Sequence, residues 1–472
     1  MARGFYAMPY ALCTMPYWNL ELYMRDISFF FNPRSVAIIG ASPMHGKLSQ
    51  AIMGNMRETG YQGAVYPVNP HYKSVKGITC YQSITHIKED VDIAVVCVPA
   101  SAVLGALDDI VRKGVHGVII VSAGFKEIGG EGAVLEEKIH KIASDTDIRI
   151  MGPNCLGIFD NISKLDTFFI LRERIKRPPV GGLSILSQSG SFAGTIMDTL
   201  AAEGLGVAKI VNYGNRVDVG ESDCLEYLAA DKLTKVVGLY MESVDDGRRF
   251  LETAKRCANE KPVFAIKIGR HGAGASAARS HTGAITGRYE IYRAAFKKAG
   301  IIEVRSYSEF LDACRVLGKQ RRANGKRVLI ITDGGGMGAS LADACEDVGL
   351  SVAKPSDELK QTITPKLPPF CTLANPIDLT GSVTDDDYVM VLKEGLKGYD
   401  LAIVMVLWGP PRLTDRLVAM LADASQELDK PIIICSPGGE YTRRKNKMFE
   451  EAGLPVFSSP EEAARAAAIL TK

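Results

Sequence analysis

A short apolar strand runs directly into a glycine turn at Ser35-Val36-Ala37-Ile38-Ile39-Gly40-Ala41-Ser42-Pro43. Further runs rich in Val and Ile follow at residues 64–68, 93–98 and 117–121, each succeeded by a stretch of helical period. Apolar strands that alternate with helices are typical of parallel βαβ units, in which helices cover both faces of the sheet. The sequence therefore predicts a doubly wound α/β domain that closes near residues 148–151.

A second and a third series of the same kind follow. Their first strands are predicted at residues 183–186 and 328–332, preceded by the basic segments 172–179 and 318–327. The remaining predicted strands are 208–212, 236–240 and 263–267 in the second series, and 401–406 and 432–435 in the third. We expect three doubly wound α/β units, namely a Rossmann-like N-terminal domain followed by two flavodoxin-like domains.

The second and third series look like two copies of one unit. In the second, the first strand leads into Ser187-Gln188-Ser189-Gly190-Ser191, and Asn215-Arg216-Val217-Asp218-Val219-Gly220 comes later. In the third, it leads into Asp333-Gly334-Gly335-Gly336-Met337-Gly338, and Asn375-Pro376-Ile377-Asp378-Leu379-Thr380-Gly381 comes later. The shared order of strand, small-residue turn, helix and Asn-x-x-Asp predicts an internal repeat. We expect the two units to face each other across a pseudo-twofold axis.

Four segments are predicted along the chain. They are an N-terminal extension at 1–25, a first domain at 26–155, a second at 180–306 and a third at 326–472. The extension contains two prolines and no sustained apolar span, so it is interpreted neither as a signal peptide nor as a membrane helix.

The composition is that of an ordinary globular protein. Among 472 residues, 56 Lys and Arg nearly balance 54 Asp and Glu, for a net charge of +2. This balance implies no general affinity for nucleic acid or membranes. The ten cysteines are scattered singly, without the close pairs of disulfide frameworks or zinc sites. We expect reduced thiols, no metal site and a cytoplasmic location.

The first turn, from Gly40 to Lys47, occupies the place where an open α/β sheet binds phosphates at a helix N-terminus. It is not a P-loop, because His45 stands where the second glycine should be and Leu48 follows the lysine. It is not a dinucleotide G-x-G-x-x-G motif either, and the second strand ends at Asn69 rather than at a carboxylate that would hold a ribose.

Two lysines follow that second strand. Lys73 and Lys76 suit a ligand that carries an extra phosphate on its ribose, such as the 3′-phosphate of CoA. A pair of surface lysines is the alternative, and the residues alone leave both interpretations open.

Small-residue turns open a helix in both the second and the third unit, at Ser189-Gly190 and at Gly335-Gly336. Backbone N–H groups and the helix dipole favour an anion at such an end by up to ~2 kcal/mol in partly buried geometry. Two converging ends would form a phosphate cradle. Taken singly, each turn is also what a tight βα connection requires.

His281 lies within Gly269 to Ala284, a run of small residues that can bury little apolar surface and predicts a loop. A neutral imidazole on such a loop can accept a phosphoryl group and carry it elsewhere. An incidental histidine on a plain loop is the alternative.

Six short motifs occur in one order from residue 29 to the end of the chain, and together they carry a family resemblance. They are Ser35 to Ser42, Gly152-Pro153-Asn154-Cys155-Leu156-Gly157, Ser187-Gln188-Ser189-Gly190, Tyr240-Met241-Glu242-Ser243, Ser280-His281-Thr282-Gly283-Ala284 and Asn375-Pro376-Ile377-Asp378. In this order the chain resembles the alpha subunit of archaeal ADP-forming acyl-CoA synthetases, which is similar to the alpha subunit of succinyl-CoA synthetase.

The resemblance implies a function and a set of site residues. His281 would become phosphorylated, and Glu242, which ends the third strand of the same unit, would orient its imidazole. The helix ends of the internal repeat, rather than the resemblance, predict phosphate binding at Ser189, Gly190, Gly335 and Gly336. The positions implied around CoA are Gly40, Ser42, Lys47, Lys73, Val98, Ser122 and Asn154.

The implied reaction converts acyl-CoA, phosphate and ADP into acid, CoA and ATP. Family enzymes also need an ATP-grasp domain, which these motifs do not include, so we expect a separate beta subunit in an alpha2beta2 heterotetramer that binds ADP or ATP with Mg. A ligase specific for a dicarboxylate is one alternative. A regulatory protein that binds CoA without catalysis is the other.

Overall fold

The computed structural model describes residues 26–274, 276 and 287–472, and its elements form three α/β units along the chain. Each unit is built on a largely parallel sheet with helices on both faces, which confirms the predicted fold class. The predicted extension at 1–25 lies outside the described residues.

The first unit contains a five-stranded parallel sheet and a small antiparallel ribbon. Its elements are β1 (Ser35–Ile39), α1 (Leu48–Thr59), β2 (Ala64–Val68), β3 (Ser74–Val75), β4 (Ile78–Thr79), β5 (Ile93–Val96), α2 (Ala100–Lys113), β6 (Gly117–Ile120), α3 (Gly130–Asp145) and β7 (Arg149–Met151). The strand order is β2-β1-β5-β6-β7, and β3 pairs with β4. The order reverses between β1 and β5, and ligands bind at such a switch point in open α/β sheets.

The second unit contains a six-stranded sheet. Its elements are β8 (Gly157–Asp160), β9 (Val180–Ser187), α4 (Gly190–Ala202), β10 (Val207–Asn212), α5 (Glu221–Ala230), β11 (Val236–Met241), α6 (Gly247–Glu260), β12 (Val263–Lys267), α7 (Tyr289–Ala299), β13 (Ile302–Val304) and α8 (Tyr307–Leu317). The order is β13-β12-β11-β9-β10-β8, and only the edge strand β8 is antiparallel to its neighbour.

The third unit also contains a six-stranded sheet. Its elements are β14 (Val328–Thr332), α9 (Gly335–Asp347), α10 (Asp357–Ile363), β15 (Thr372–Leu373), β16 (Ile377–Asp378), α11 (Asp385–Gly395), β17 (Leu401–Met405), α12 (Arg416–Glu427), β18 (Ile432–Cys435), α13 (Glu440–Glu451), β19 (Val456–Phe457) and α14 (Pro460–Leu470). The order is β15-β16-β14-β17-β18-β19, with β15 antiparallel to β16.

The second and third sheets share one topology, which confirms the predicted repeat. In each, the first parallel strand lies between the second and the third, and an antiparallel strand closes the edge beside the second. The strand registers fix the equivalent positions. Asn212 lies opposite Ser187 in one sheet, and Asp378 lies opposite Thr332 in the other, so Asp378 corresponds to Asn212.

The predicted match between the two Asn-x-x-Asp motifs is wrong in register. Asn215 follows the end of β10, whereas Asn375 precedes β16. Asn, Asp and Gly recur in turns for local reasons, so the two motifs share letters without sharing a place in the fold. The repeat is carried by strand order and burial instead.

The segment that begins at Asn215 attaches the second unit to the first. It runs beside the end of β7 and adds backbone hydrogen bonds there. The donor and acceptor pairs are Asn215 N to Pro153 O (2.9 Å), Val217 N to Gly152 O (2.8 Å) and Val219 N to Ile150 O (3.0 Å).

A buried ion-pair network lies beside this junction. The Arg149 guanidinium on β7 donates to Asp218 at 2.9 Å and to Asp223 at 2.8 Å, and Arg249 pairs with Asp223 at 2.9 Å. Burial alone would raise the pKa of Asp223, but the two guanidinium groups lower it overall. Removing one partner of such a pair leaves an uncompensated buried charge. The network therefore fixes the first unit against the second.

The second and third units share an apolar core that includes residues of α8, α9 and α14. Asp312 on α8 is almost fully buried, and Arg465 on α14 donates to it at 3.2 Å. None of the helices in the described ranges 26–274 and 287–472 is long and apolar enough to cross a membrane.

Candidate functional site

A cavity of about 500 Å³ opens at the carboxyl edge of β1, β2 and β5, where the strand order of the first sheet reverses. Four of the predicted CoA-binding residues line it: Gly40, Ser42, Lys47 and Val98. The sequence therefore placed the first turn at a real concave site. Phosphate groups bind at this position in doubly wound sheets because helix N-termini point into it.

The turn that forms this cavity is held by side-chain hydrogen bonds to its backbone. Ser49 Oγ donates to Gly40 O at 3.0 Å, and Asn69 Nδ2 donates to Ala41 O at 2.8 Å. Gly40 has φ +85°, and a Cβ added to it would lie 2.9 Å from Val98 Cγ1. A side chain at position 40 would thus be strained and would crowd the wall of the cavity.

The lining also includes polar residues that were not predicted to bind CoA, among them Asn69, Ser83 and Asp109. Asn69 ends the second strand, where a dinucleotide-binding domain would carry a carboxylate. Asp109 lies on α2, the helix that follows β5. It accepts from Ser83 Oγ at 3.0 Å and pairs with Arg112. Its helical spacing from the start of α2 is the sequence signal that could have placed it at the cavity.

The other predicted CoA-binding residues lie outside the lining. Ser122 follows β6 and donates to Val98 O, and its carbonyl accepts from Asn154 N at 2.9 Å. Through these contacts Ser122 and Asn154 support the part of the cavity wall that Val98 forms, although they do not line the cavity themselves. Lys73 is exposed before β3 and does not contribute to the lining. Their roles toward CoA stay predictions.

A second cluster lies at the carboxyl edge of the second sheet. Glu242 follows β11 directly and is only 4% exposed. The Gln188 side-chain oxygen accepts from the N–H groups of Glu242 and Ser243. Ser189, the next residue after Gln188, caps α4 by accepting from Phe192 N at 3.3 Å. The turn after β9 thus connects Glu242 to the N-terminus of α4, as the sequence predicted.

Lys267 is a member of this edge that sequence reasoning missed. It ends β12 opposite Met241, is 1% exposed, and its Nζ lies 4.6 Å from the centre of the Tyr292 ring. Burial lowers the pKa of Lys267 to about 8, and the nearby Glu242 opposes that shift. A single lysine at the end of an apolar strand has no spacing signal that distinguishes it from a surface lysine.

Tyr240 adds a polar group to the same edge. Burial and the negative charge of Glu242 raise the pKa of Tyr240 to about 12, while a hydrogen bond with Ser189 lowers it. The hydroxyl is therefore protonated at neutral pH and available as a hydrogen-bond donor.

The corresponding edge of the third sheet is acidic. A Cβ added to Gly335 would lie 2.6 Å from Asp378 Oδ2, so this carboxylate stands at the N-terminus of α9. Burial raises the pKa of Asp333, and Asp378 adds to that rise. A phosphate approaching Gly335 and Gly336 would meet Asp378, so the electrostatics here are less favourable for phosphate than at Ser189 and Gly190.

The predicted nucleophile, His281, lies outside the described residues, as do its neighbours at 277–286. In the parts of the chain that the structure describes, no cluster of three or more His, Cys, Asp or Glu residues forms a metal-ligand set. The nine described cysteines are unpaired, and Cys13 lies outside the described range.

Three family models match successive parts of the chain. A CoA binding domain matches residues 34–160, a succinyl-CoA ligase like flavodoxin domain matches 180–317, and a Ligase-CoA domain matches 328–470. The three matches follow the three sheets of the structure.

Complete relatives extend this likeness over nearly the whole chain. The alpha subunit of acetate–CoA ligase (ADP-forming) I of Pyrococcus furiosus is 35% identical over 457 residues, 95% of this chain and 97% of that subunit. Acetate–CoA ligase (ADP-forming) I of Archaeoglobus fulgidus is 38% identical over 93% of this chain, which spans only 62% of that protein.

A solved structure has the same arrangement of units. It is the dinucleotide forming acetyl-coenzyme A synthetase 1 of Ca. Korarchaeum cryptofilum in complex with phosphate and ADP, with a TM-score of 0.88 and 33% sequence identity. The match covers 95% of this chain and 96% of that one.

Proposed function

The chain belongs to the family of the ADP-forming acetate–CoA ligase alpha subunits, and we propose that it is the CoA-binding, phosphohistidine-carrying part of an ADP-forming acyl-CoA synthetase. The net reaction is acyl-CoA plus phosphate plus ADP giving acid, CoA and ATP. The observation that carries the proposal is Glu242, a buried carboxylate beside the capped N-terminus of α4, in a chain that also contains Ser280-His281-Thr282-Gly283-Ala284.

The reaction takes three steps, and in each step one covalent bond forms while another breaks. A phosphate oxygen attacks the thioester carbonyl, the C–S bond breaks, and an acyl phosphate and CoA are left. An imidazole nitrogen of His281 then attacks the phosphorus, and the acid leaves as a carboxylate. Finally, a terminal phosphate oxygen of ADP attacks the phosphohistidine and restores the imidazole. Splitting the transfer in this way keeps the activated phosphoryl group on the protein.

CoA is assigned to the cavity of the first unit. The residues fit it because the cavity lies at the turn between β1 and α1 and because Asn69, rather than a carboxylate, follows β2. Lys47 lines the cavity and would approach the phosphates. Lys73 and Lys76, both exposed nearby, are proposed for the 3′-phosphate.

The phosphoryl group is assigned to the second unit. The N-terminus of α4 offers backbone N–H groups beside the hydroxyls of Ser189 and Ser191, which lie 3.0 Å apart. Glu242 would accept a hydrogen bond from the imidazole of His281, fix the nitrogen that attacks and balance the positive charge that forms on the ring. We include Gly335 and Gly336 as a weaker contribution from the third unit.

The nucleotide step is assigned to a partner. The chain spans 97% of a relative that is named as subunit alpha but only 62% of one that is named as the whole ligase. The name of the first relative, subunit alpha, supports a separate ATP-grasp beta subunit that binds ADP or ATP with Mg, in an alpha2beta2 assembly.

An ATP-forming assay tests the function. The chain and its beta subunit, supplied with acetyl-CoA, phosphate and ADP, should form ATP, and omission of any one substrate or of either polypeptide should abolish it. ATP formed by the chain alone would contradict the division of labour. A clear preference for succinyl-CoA over acetyl-CoA would favour the dicarboxylate alternative, and CoA binding without turnover would favour the regulatory one.

A further inference from the structure

We propose that Lys267 is a positioning residue for phosphoryl transfer: its buried ammonium balances the charge of Glu242 and keeps that carboxylate ionised and oriented. This role rests on the proposed function of Glu242. The geometry that points to it is the strand register. Met241 and Lys267 are partners on β11 and β12, and Glu242 is the next residue after Met241.

Burial favours a positive charge close to Glu242. Glu242 is 4% exposed and Lys267 is 1% exposed. A carboxylate taken out of water without a positive neighbour tends to become neutral, and a neutral Glu242 could not balance an imidazolium. The charge of Glu242 raises the pKa of Lys267 against the effect of burial, and the strand register places the two residues at the same edge of the sheet.

The other contacts of Lys267 differ from those of a structural lysine. Its Nζ lies over the Tyr292 ring and donates to Ile268 O. Tyr292 in turn accepts from Val244 N at 3.1 Å, two residues after Glu242, so the ring links the lysine to the same turn. The ammonium is thus held beside the Glu242 turn rather than within a cage of carbonyl groups.

Lys261, which follows α6 and precedes β12 by two residues, shows what a purely structural lysine looks like in this unit. Its Nζ donates to three carbonyl oxygens, those of Leu228 at 2.7 Å, Asp231 at 2.8 Å and Thr234 at 3.1 Å. Lys261 therefore offers a matched control just before the amino end of β12, whereas Glu242 lies at the carboxyl edge of the sheet.

The repeat supports the pairing independently. By strand register, Leu407 of the third unit corresponds to Glu242, and Ser436 corresponds to Lys267. Ser436 donates to Val406 O at 2.7 Å and needs no counter-charge. The carboxylate and the cation are present together in the second unit and replaced together in the third, as expected of two groups that serve one purpose.

The described groups that face this pair are mostly neutral. Tyr213, Tyr240 and Tyr292 surround it, and burial raises the pKa of each. Arg216 lies farther out and is paired with Glu221 at 3.4 Å and with Asp245, so its charge is already balanced. Among the described residues, Lys267 is the cation of this edge that titrates near neutral pH.

The direction of the pH effect follows from that assignment. Burial lowers the pKa of Lys267 to about 8. Its positive charge is present below that pH and is lost as the pH rises through it. Phosphorylation of the wild-type chain by acyl-CoA and phosphate should therefore slow above about pH 8.

The test is single-turnover formation of the acid-labile phosphoenzyme from acetyl-CoA and radiolabelled phosphate, measured between pH 6 and pH 10 with the beta subunit present. Lys267→Met should slow the step by about 100-fold and remove its alkaline decline. Lys267→Arg should keep the rate within about tenfold and stay active above pH 9, because a guanidinium does not deprotonate there. Lys261→Met should keep the wild-type pH profile.

The outcomes separate this proposal from the function on which it rests. A wild-type complex that binds CoA but forms no phosphoenzyme would overturn both. A wild-type complex that forms it, together with a Lys267→Met variant of unchanged rate or unchanged alkaline decline, would overturn the role of Lys267 alone. If Lys267→Met does not fold, the profile of Lys267→Arg decides: an alkaline decline like that of the wild type contradicts the proposal.

Discussion

The second and third units have the same strand order but differ at the edge where their helices begin. The equivalent pairs, second unit first, are Ser189 and Gly334, Gly190 and Gly335, Asn212 and Asp378, Glu242 and Leu407, and Lys267 and Ser436. One edge contains hydroxyls, an amide and a carboxylate with a buried cation. The other contains two glycines, an aspartate, a leucine and a serine.

This difference shows that one group of residues determines the strand topology and another determines the chemistry at the edge of the sheet. The apolar strands, which determine the sheet, are alike in both units. The polar residues that follow the strands decide whether a helix N-terminus is open to an anion. In the third unit, Asp378 already brings a negative charge to the N-terminus of α9, which helix dipoles stabilise as they would stabilise a phosphate.

The largest effect should follow from Glu242→Gln. The substitution keeps the shape of the side chain but removes its charge, so the imidazole loses its orientation and its charge partner. We expect phosphoenzyme formation to slow by about 10²–10⁴-fold, measured by rapid quench with labelled phosphate. Leu407→Met, at the equivalent place in the third unit, is the matched control and should leave the rate within about threefold, or roughly 0.7 kcal/mol. If both substitutions slowed phosphoenzyme formation equally, the proposed functional difference between the second and third units would be wrong.

A second prediction concerns how the 215–219 segment is used. In the second unit this segment attaches to the first domain, and the Arg149 network lies beside it, whereas Asn375 of the third unit bonds within its own sheet. Arg149→Met should therefore destabilise the protein by about 3–5 kcal/mol in denaturant unfolding, because Asp218 loses its guanidinium partner and the buried Asp223 keeps only that of Arg249. Arg256→Met, which breaks the pair between Glu226 and the half-exposed Arg256, should cost no more than about 1 kcal/mol.

The stability that is lost in Arg149→Met should depend on pH, and the direction of this dependence follows from the pKa of Asp223. Arg149 and Arg249 outweigh burial and lower the pKa of Asp223. Stability from a carboxylate with a lowered pKa is complete above its unfolded value, about 3.9, and is lost as the pH falls through the folded value. The difference in unfolding free energy between wild type and Arg149→Met should be largest at pH 6 and should decrease below about pH 4. A gap that stays constant down to pH 3 would argue against the ion pair as its source.

The smallest effect is expected from Asp378→Asn, which makes the third unit resemble the second at one position. Removing this carboxylate should leave the rate of phosphoenzyme formation within about threefold, because the phosphoryl group is assigned to the second unit. Phosphate titrations of the initial rate provide the measurement. A decrease in the rate of phosphoenzyme formation as large as that caused by Glu242→Gln would show that Asp378 takes part in the chemistry. The edge of the second sheet would then no longer be more important than that of the third.

Much of this architecture could be predicted from the sequence because apolar periodicity records burial directly. The strands at 36–39, 183–186 and 328–332 are all present, since parallel strands covered on both faces must be apolar throughout. Glu242 was also placed correctly at the end of its strand. Its position follows from chain order, without any knowledge of side-chain contacts.

The parts that failed or were missed depend on distance in space. The Asn-x-x-Asp motifs matched in letters, but strand pairing shows that they occupy different places. Lys73 lies outside the lining of the cavity, and its role toward CoA stays a prediction. Lys267 gives no periodic signal, and its importance emerges only when β11 and β12 lie side by side.

The most direct test of the central claim is to locate the phosphoryl group. The chain and its beta subunit are incubated with acetyl-CoA and phosphate without ADP, and the acid-labile phosphopeptide is identified by mass spectrometry. We predict a single phosphohistidine at His281, lost in His281→Ala while CoA binding measured by calorimetry is retained. Phosphorylation at another residue, such as His271, or normal turnover of His281→Ala, would contradict the account.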